Sequence, residues 1–263
     1  MRNSLKMSRR SALAGAAALP LAAMATSARA EAPIMGAGSA PFRRVSLGGY
    51  DVTTILAGTR PVEAPHDIFG LNVDHETALQ AAGYAADQVD IVVLTHMHGD
   101  HIGGLMTGDA PTFPNARYVT GQVEFDAWSA MDNEGFNTKV KPLAEQMTFL
   151  NDGGSVASGI TAMAAFGHTP GHMAYMIESD GRQLVLGADF ANHYVWSLAH
   201  PDWEVKFDQD KAAAAATRRR LLDMLATDGI PFVGYHMPFP AFGYVETRED
   251  GFAYLPHSYQ LML

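Results

Sequence analysis

The chain has 263 residues, 48% of them hydrophobic, and a formal net charge of −10. That composition is enough for one sizeable core, and the acidic balance disfavours a polyphosphate partner such as nucleic acid. With no cysteine in the sequence, disulfides and thiolate metal ligands are excluded, so a metal site has to be built from His, Asp and Glu.

Residues 1–30 read as an export signal. Arg2, Lys6, Arg9 and Arg10 precede the alanine-rich run "SALAGAAALPLAAMATSA", and "ARA" ending at Ala30 offers a small-residue cleavage site. The run is short and contains Pro20, which argues against a membrane span. The pair Arg9-Arg10 resembles a twin-arginine signal, with alanine where a bulky apolar residue is usual. Cleavage would leave a domain over 31–263 with 13 basic against 28 acidic residues, a formal −15. The expected destination is the periplasm or the exterior, with no membrane attachment after processing.

Further along, "FRRVSLGGYDVTTILAGT" predicts two strands around a Gly-Gly turn, and "ALQAAGYAADQVD" a short helix with its lead-in. "IVVLT" predicts a buried strand of five residues, "ARYVT" another, and "GQVEFDAWSAM" has helical spacing. "GITAMAAF" is strand-like, and strands near Ala174–Glu178 and Arg182–Gly187 form a hairpin turned at Asp180-Gly181. "DQDKAAAAATRRRLLDMLATDG" is the clearest helix, capped by Asp208 or Asp210 and stopped at Gly229. "PFVGYH" is a further buried strand, and a last hairpin turns around Asp250-Gly251. The mixture lacks strict strand-helix alternation and predicts a layered α/β arrangement of sheets covered by helices.

The stretch "VVLTHMHGDHIGG" crowds His96, His98, Asp100 and His101 where a strand ends and a glycine-rich turn begins. Residues two apart on an extended segment project to one side, so His96 and His98 can share an ion, while Asp100 and His101 can serve a second. In a chain with 11 histidines, chance yields such a string on the order of one time in a thousand. His168, Asp189 and His236 each follow an apolar run, so one sheet edge could collect all seven side chains. His66, His75, His200 and His257 read as ordinary satisfied or solvated histidines.

"THMHGDHIGG", "GHTPGH", "GAD" and "GYH", in this order, resemble the metallo-β-lactamase superfamily over about Val92 to His236. The resemblance implies an αββα sandwich with two divalent metal ions at one edge of the packed sheets. By position, His96, His98 and His168 would hold one ion, Asp100, His101 and His236 the other, and Asp189 would bridge them. His172 matches a position that supports the ligands without being one. Zinc is the leading metal, with manganese, iron and cobalt also suited to imidazole and carboxylate. An oxygen shared by two such ions is a hydroxide near neutral pH that can attack a carbonyl or phosphoryl centre, with Asp100 orienting it and taking its proton.

Histidine at 98, where flavodiiron proteins carry glutamate, favours hydrolysis. Asp189 separates the chain from true β-lactamases, its acidity from the RNA-processing branch, and export from glutathione thioesters. The phrases "AAGYAADQVDIVVLTHMHGDHIGGL" and "AFGHTPGHMAYMIESDG" resemble the branch of methyl parathion hydrolase and related exported lactonases and arylesterases. Its substrates would be small neutral esters, lactones or organophosphate triesters. Trp128 is a candidate wall of the substrate pocket, with a core tryptophan as the alternative. One departure stands out: the family's Asp-Thr-Gly strand end is missing, and Leu71–Leu79 reads as a shortened junction that removes part of the first sheet. Two other readings follow, a β-lactamase-type amide hydrolase and a catalytically impaired metal-binding protein. A homodimer could supply the missing edge.

Overall fold

The computed structural model describes residues 42–56 and 82–257. The expected export signal, the junction at 71–79, and His66 and His75 lie outside them. Strands β1 (Phe42–Leu47) and β2 (Tyr50–Ile55) form the expected hairpin. Gly48 in its turn has φ 57°, and a Cβ there would sit 2.5 Å from the Ser179 carbonyl oxygen, so only glycine suits both the backbone and the contact.

The first sheet is parallel, with order β3 (Ile91–Val93), β6 (Arg117–Gly121), β7 (Met147–Leu150). A two-residue ladder of β4 (Met106–Thr107) and β5 (Ala110–Pro111) lies between, after the single turn α1 (Gly99–Ile102). Helix α2 (Gln122–Ser129) follows β6 directly. The strand expected over five residues at "IVVLT" has only three. The Leu94 N–H still donates to the Val119 carbonyl of β6 at 2.8 Å, but the next two carbonyls turn to the second sheet: that of Leu94 accepts from the Tyr175 hydroxyl at 3.0 Å, and that of Thr95 from the Met173 N–H at 2.9 Å.

Seven strands make the second sheet: β8 (Ser155–Ala157), β9 (Ile160–Ala164), β10 (Met173–Ser179), β11 (Arg182–Ala188), β12 (Phe232–Gly234), β13 (Phe242–Arg248) and β14 (Gly251–Pro256). They lie side by side in sequence order, and only β11 and β12 pair in parallel. A parallel pair needs a crossover. It is made by the short α3 (Trp196–Ala199) and the long α4 (Lys211–Asp228). Asp210 caps α4 by accepting from the Ala213 N–H at 3.0 Å, and Gly229, at φ 65°, closes it. Asp208, the other expected cap, is engaged elsewhere.

Side-chain alternation sets the layers. Met173 and Tyr175 pack with Val119, Val156 and Ala162 between the sheets, whereas Ala174 and Val185 face Leu221, Leu222 and Leu225 of α4. On the outer side of the first sheet, Leu94, Met97, Ile102, Tyr118, Trp128 and Phe136 form a separate core. The order is therefore helix, sheet, sheet, helix. Val45 and Leu47 of the first hairpin rest on Leu184, Val233 and Phe242, covering the inner face of the large sheet without joining the three-stranded ladder.

Candidate metal centre

The ends of β3, β9, β11 and β12 meet along one rim. His98 is extended (φ −65°, ψ 150°) and caps α1, so His96 and His98 leave β3 on the straight part of the chain and His101 arrives one turn later. Asp189 follows β11 at a strained point. Ala188 has φ 49°, and the β11–β12 register shifts between Leu186 and Ala188. A non-glycine residue in the left-handed region costs energy and re-aims the next side chain. His168 comes from the turn after β9, and His236 from just past β12.

All seven candidate residues come together there. Three groups have ligand atoms within 4.8 Å of one another: His96, His98 and His168; His96, His101 and Asp189; and Asp100, His101 and His236. Asp189 is central. Its Oδ2 lies 3.1 Å from His236 Nε2, 3.4 Å from His168 Nε2 and 4.0 Å from His96 Nε2, while Oδ1 lies 3.3 Å from His101 Nε2. Asp100 Oδ2 is 3.5 Å from both His101 Nε2 and His236 Nε2. Yet His96 Nε2, His101 Nε2 and Asp189 Oδ1 are buried without a hydrogen-bond partner. Buried polar atoms are nearly always paired. Orphaned nitrogens and a carboxylate oxygen converging on one point are what a divalent cation would satisfy, and this donor set suits first-row ions.

The electrostatics match neutral imidazoles around an anion. Burial, aided by His101 and His172, holds His96 well below its ordinary value. Burial, then His168, lowers His98 to about 4, and burial brings His172 to about 3. For Asp189 burial acts upward, but the His101 and His236 contacts outweigh it and keep the carboxylate well below its usual range. His236 goes the other way: burial lowers it, and Asp189 more than compensates, leaving it raised. Such opposed shifts concentrate at functional sites.

Residues behind the rim hold these ligands. His172 Nε2 accepts from the Asp189 N–H at 3.2 Å, supporting the strained turn itself. Trp128 is only 5% exposed and belongs to the core of the first half; it reaches the site through the His98 ring, edge-on at 5.8 Å. Glu124, absent from the sequence-based candidates, is fully buried. It accepts from the Met97 N–H (3.0 Å), the Thr169 hydroxyl (2.8 Å) and the Gly171 N–H (2.9 Å), so one carboxylate ties the His96–His98 segment to the His168–His172 turn. A signal existed, since Glu124 shares the buried face of α2 with Trp128 one turn on, and a charge there needs partners. Arg218 and Asp208 are likewise buried beside His168. His200 stacks on Trp203, and His257 sits just past β14.

A sequence profile of the metallo-beta-lactamase superfamily matches residues 58–229, more than half of the chain. The chain belongs to that superfamily. Among relatives, the probable metallo-hydrolase YflN of Bacillus subtilis (strain 168) is 33% identical over 117 residues, 38% of this chain and 44% of its own length. An N-acyl homoserine lactonase of Bacillus cereus is 26% identical over 110 residues, 42% of this chain and 41% of its own. This superfamily member thus spans less than two thirds of the length of those curated relatives. Of solved structures, AidC, a dizinc quorum-quenching lactonase in complex with a homoserine product, is 28% identical with a TM-score of 0.64, covering 70% of this chain and 69% of that one. The hydrolase AbOPH, in the beta lactamase superfamily, has a TM-score of 0.67 at 24% identity over 73% of this chain and 72% of its own, a likeness of fold alone.

Proposed function

We propose that this superfamily member is a metal-dependent hydrolase that opens small uncharged lactones or esters, organophosphate triesters being the other members of the substrate class. The observation that carries this reading is the buried Asp189 carboxylate, with four imidazole nitrogens within 4.0 Å of it, of which His96 Nε2 and His101 Nε2 are buried without a hydrogen-bond partner. His96, His98 and His168 would hold one ion, Asp100, His101 and His236 a second, and Asp189 both. Ions so held would lower the pKa of bound water and polarise the carbonyl or phosphoryl oxygen of the substrate. Zinc is the leading choice because of the donor set and the dizinc lactonase relative.

Asp100 is the carboxylate of the group most open to solvent, with its side chain 29% exposed. It is the residue to orient the attacking water and carry its proton, because only one of its oxygens is directed at His101 and His236. Asp189, buried behind it, stays anionic and fixes His101 and His236 by charge. Tyr235 lays its ring 4.1 Å from that of His101 and donates to the Asp100 carbonyl at 2.9 Å, giving the open side an aromatic margin. The chain's formal net charge of −10 disfavours the approach of anionic substrates, which favours neutral ones. Export through residues 1–30 and a homodimer belong to the same proposal.

The test is metal per chain by mass spectrometry on residues 31–263 produced with zinc or manganese, followed by turnover of N-acyl homoserine lactones, aryl esters and a phosphotriester, with nitrocefin as the amide arm. Close to two ions and lactone or ester turnover is expected. Close to zero ions, or two ions with turnover of nitrocefin alone, would overturn the reading.

A further inference from the structure

Behind His168 lies a chain of buried charge that the ligand set does not include. His168 Nδ1 is 2.8 Å from Asp208 Oδ1, and Asp208 Oδ2 accepts from Arg218 Nη2 at 2.8 Å, both ion-pair side chains being 1% exposed. A carboxylate salt-bridged to a guanidinium is an acceptor only. His168 must then donate from Nδ1, and in the neutral ring this leaves the lone pair on Nε2, the atom that faces His98 Nδ1 at 3.0 Å and Asp189 Oδ2 at 3.4 Å. Arg218 is itself fully engaged: Nε donates to the Phe190 carbonyl at 3.0 Å, and Nη1 to the carbonyls of Pro201 at 2.7 Å and Trp203 at 3.2 Å. Phe190 is the residue after Asp189. One guanidinium therefore reaches a residue behind His168 and the residue beside Asp189.

The backbone around this pair is closely laced. Gln209 N–H donates to the His168 carbonyl (3.0 Å) and Asp210 N–H to the Gly167 carbonyl (2.9 Å). Along α4, Thr217 donates to the Phe166 carbonyl and Arg220 to the Ala164 carbonyl, each at 2.7 Å. The start of the helix so abuts the turn that a Cβ on Gly167 would fall 2.1 Å from the Ala214 nitrogen. These contacts tie the start of the helix to the turn that carries His168.

From this geometry we propose that Asp208 and Arg218 are positioning residues for the metal centre: Asp208 fixes the Nδ1-protonated tautomer and the ring plane of His168, and Arg218 locks Asp208 and the Asp189 turn in register. The inference rests on His168 being a metal ligand. Outer partners of ligating histidines typically set metal affinity by about 10–100-fold, and the variants should show a loss of that size.

The experiment uses the chain over residues 31–263. In the native metal-free protein, nitrogen-15 NMR of the His168 ring should show the Nδ1-protonated tautomer. Zinc affinity is then measured by chelator competition for native protein, Asp208→Asn, and the double variant Asp208→Asn/Arg218→Met, which removes both buried charges together. Expected are a 10–100-fold weaker zinc affinity in both variants and a changed cobalt(II) absorption spectrum. The exposed pair of Arg219 on the same helix with Asp202 in the turn before it is the control, and Asp202→Asn should leave both readouts unchanged. An Nε2-protonated His168 in the native protein, or a folded double variant with native zinc affinity and spectrum, would overturn the inference. If the variants do not fold, the native tautomer alone decides. Failure of the native chain to bind zinc would instead overturn the metal reading on which the inference rests.

Discussion

Replacing Glu124 by glutamine tests how far the site depends on one buried side chain. The glutamate receives three hydrogen bonds, two on Oε2 from Thr169 and Gly171 and one on Oε1 from Met97. Glutamine in its better orientation keeps the first two and points an amide NH2 at the Met97 N–H. One bond to a charged acceptor is lost, worth about 1.5–3 kcal/mol, and a buried donor is left facing another donor. The sum is about 3 kcal/mol, large against a total stability of roughly 5–15 kcal/mol. For a domain of this size it corresponds to a fall in melting temperature of about 6–12 °C. Because the lost bond anchors the residue between His96 and His98, metal affinity should fall as well. Calorimetric melting with and without zinc, alongside chelator competition, measures both. A melting temperature within two degrees of native, or a loss of stability without any change in zinc affinity, would refute the bracing role.

Asp189→Ala should reduce bound metal from about two ions to one or fewer and lower turnover of the responsive lactone or ester by at least about 100-fold; metal analysis and initial rates check this. The metal-free chain should lose stability in mild acid: His172 protonates near 6.5 when unfolded but only at about 3 when folded. Its contribution is complete above pH 6.5 and declines by up to about 1.4 kcal/mol per unit as pH falls toward 3. His96 and His98 act in the same direction and His236 in the opposite one, so the urea midpoint of chelated protein should drop between pH 7.5 and 5.5; an unchanged or rising midpoint would contradict the shifts. Gly171→Ala places a Cβ 2.1 Å from the Glu124 nitrogen and should cost more than about 2 kcal/mol by prying α2 from the His168 turn, read as a lower denaturation midpoint.

Much of the fold could be read directly because its elements carry strong local signals. The hairpin turn at Asp180-Gly181 has both residues at positive φ, 51° and 72°, as the Asp-Gly pair demands. The length and limits of α4 followed from its alanine body and terminal glycine. What escaped lacks periodicity: β7 and β8 flank the turn "NDGG" with four and three residues, too short to stand out from a loop. The π turn at Phe136–Val140 and the 3-10 turn at Lys141–Gln146 are set by packing of Phe136, Val140 and Leu143 into the first core. At the site, the candidate ligands were legible because imidazoles at strand ends are rare and clustered. Glu124, Asp208 and Arg218 were not singled out, since their partners lie 10 to 47 residues away in sequence. Asp208 in particular looks like a helix cap until its ring partner is known.

The two bonds accepted by the Leu94 and Thr95 carbonyls join the halves of the molecule next to His96. Until the halves join, an ion can meet only part of the donor set, His96, His98, Asp100 and His101 on one half or His168, Asp189 and His236 on the other. Full coordination would require both halves to be joined, so the binding energy of the ion would add to the stability of their union. Ion supply would govern how many molecules stay native, while leaving each half to form at its own rate.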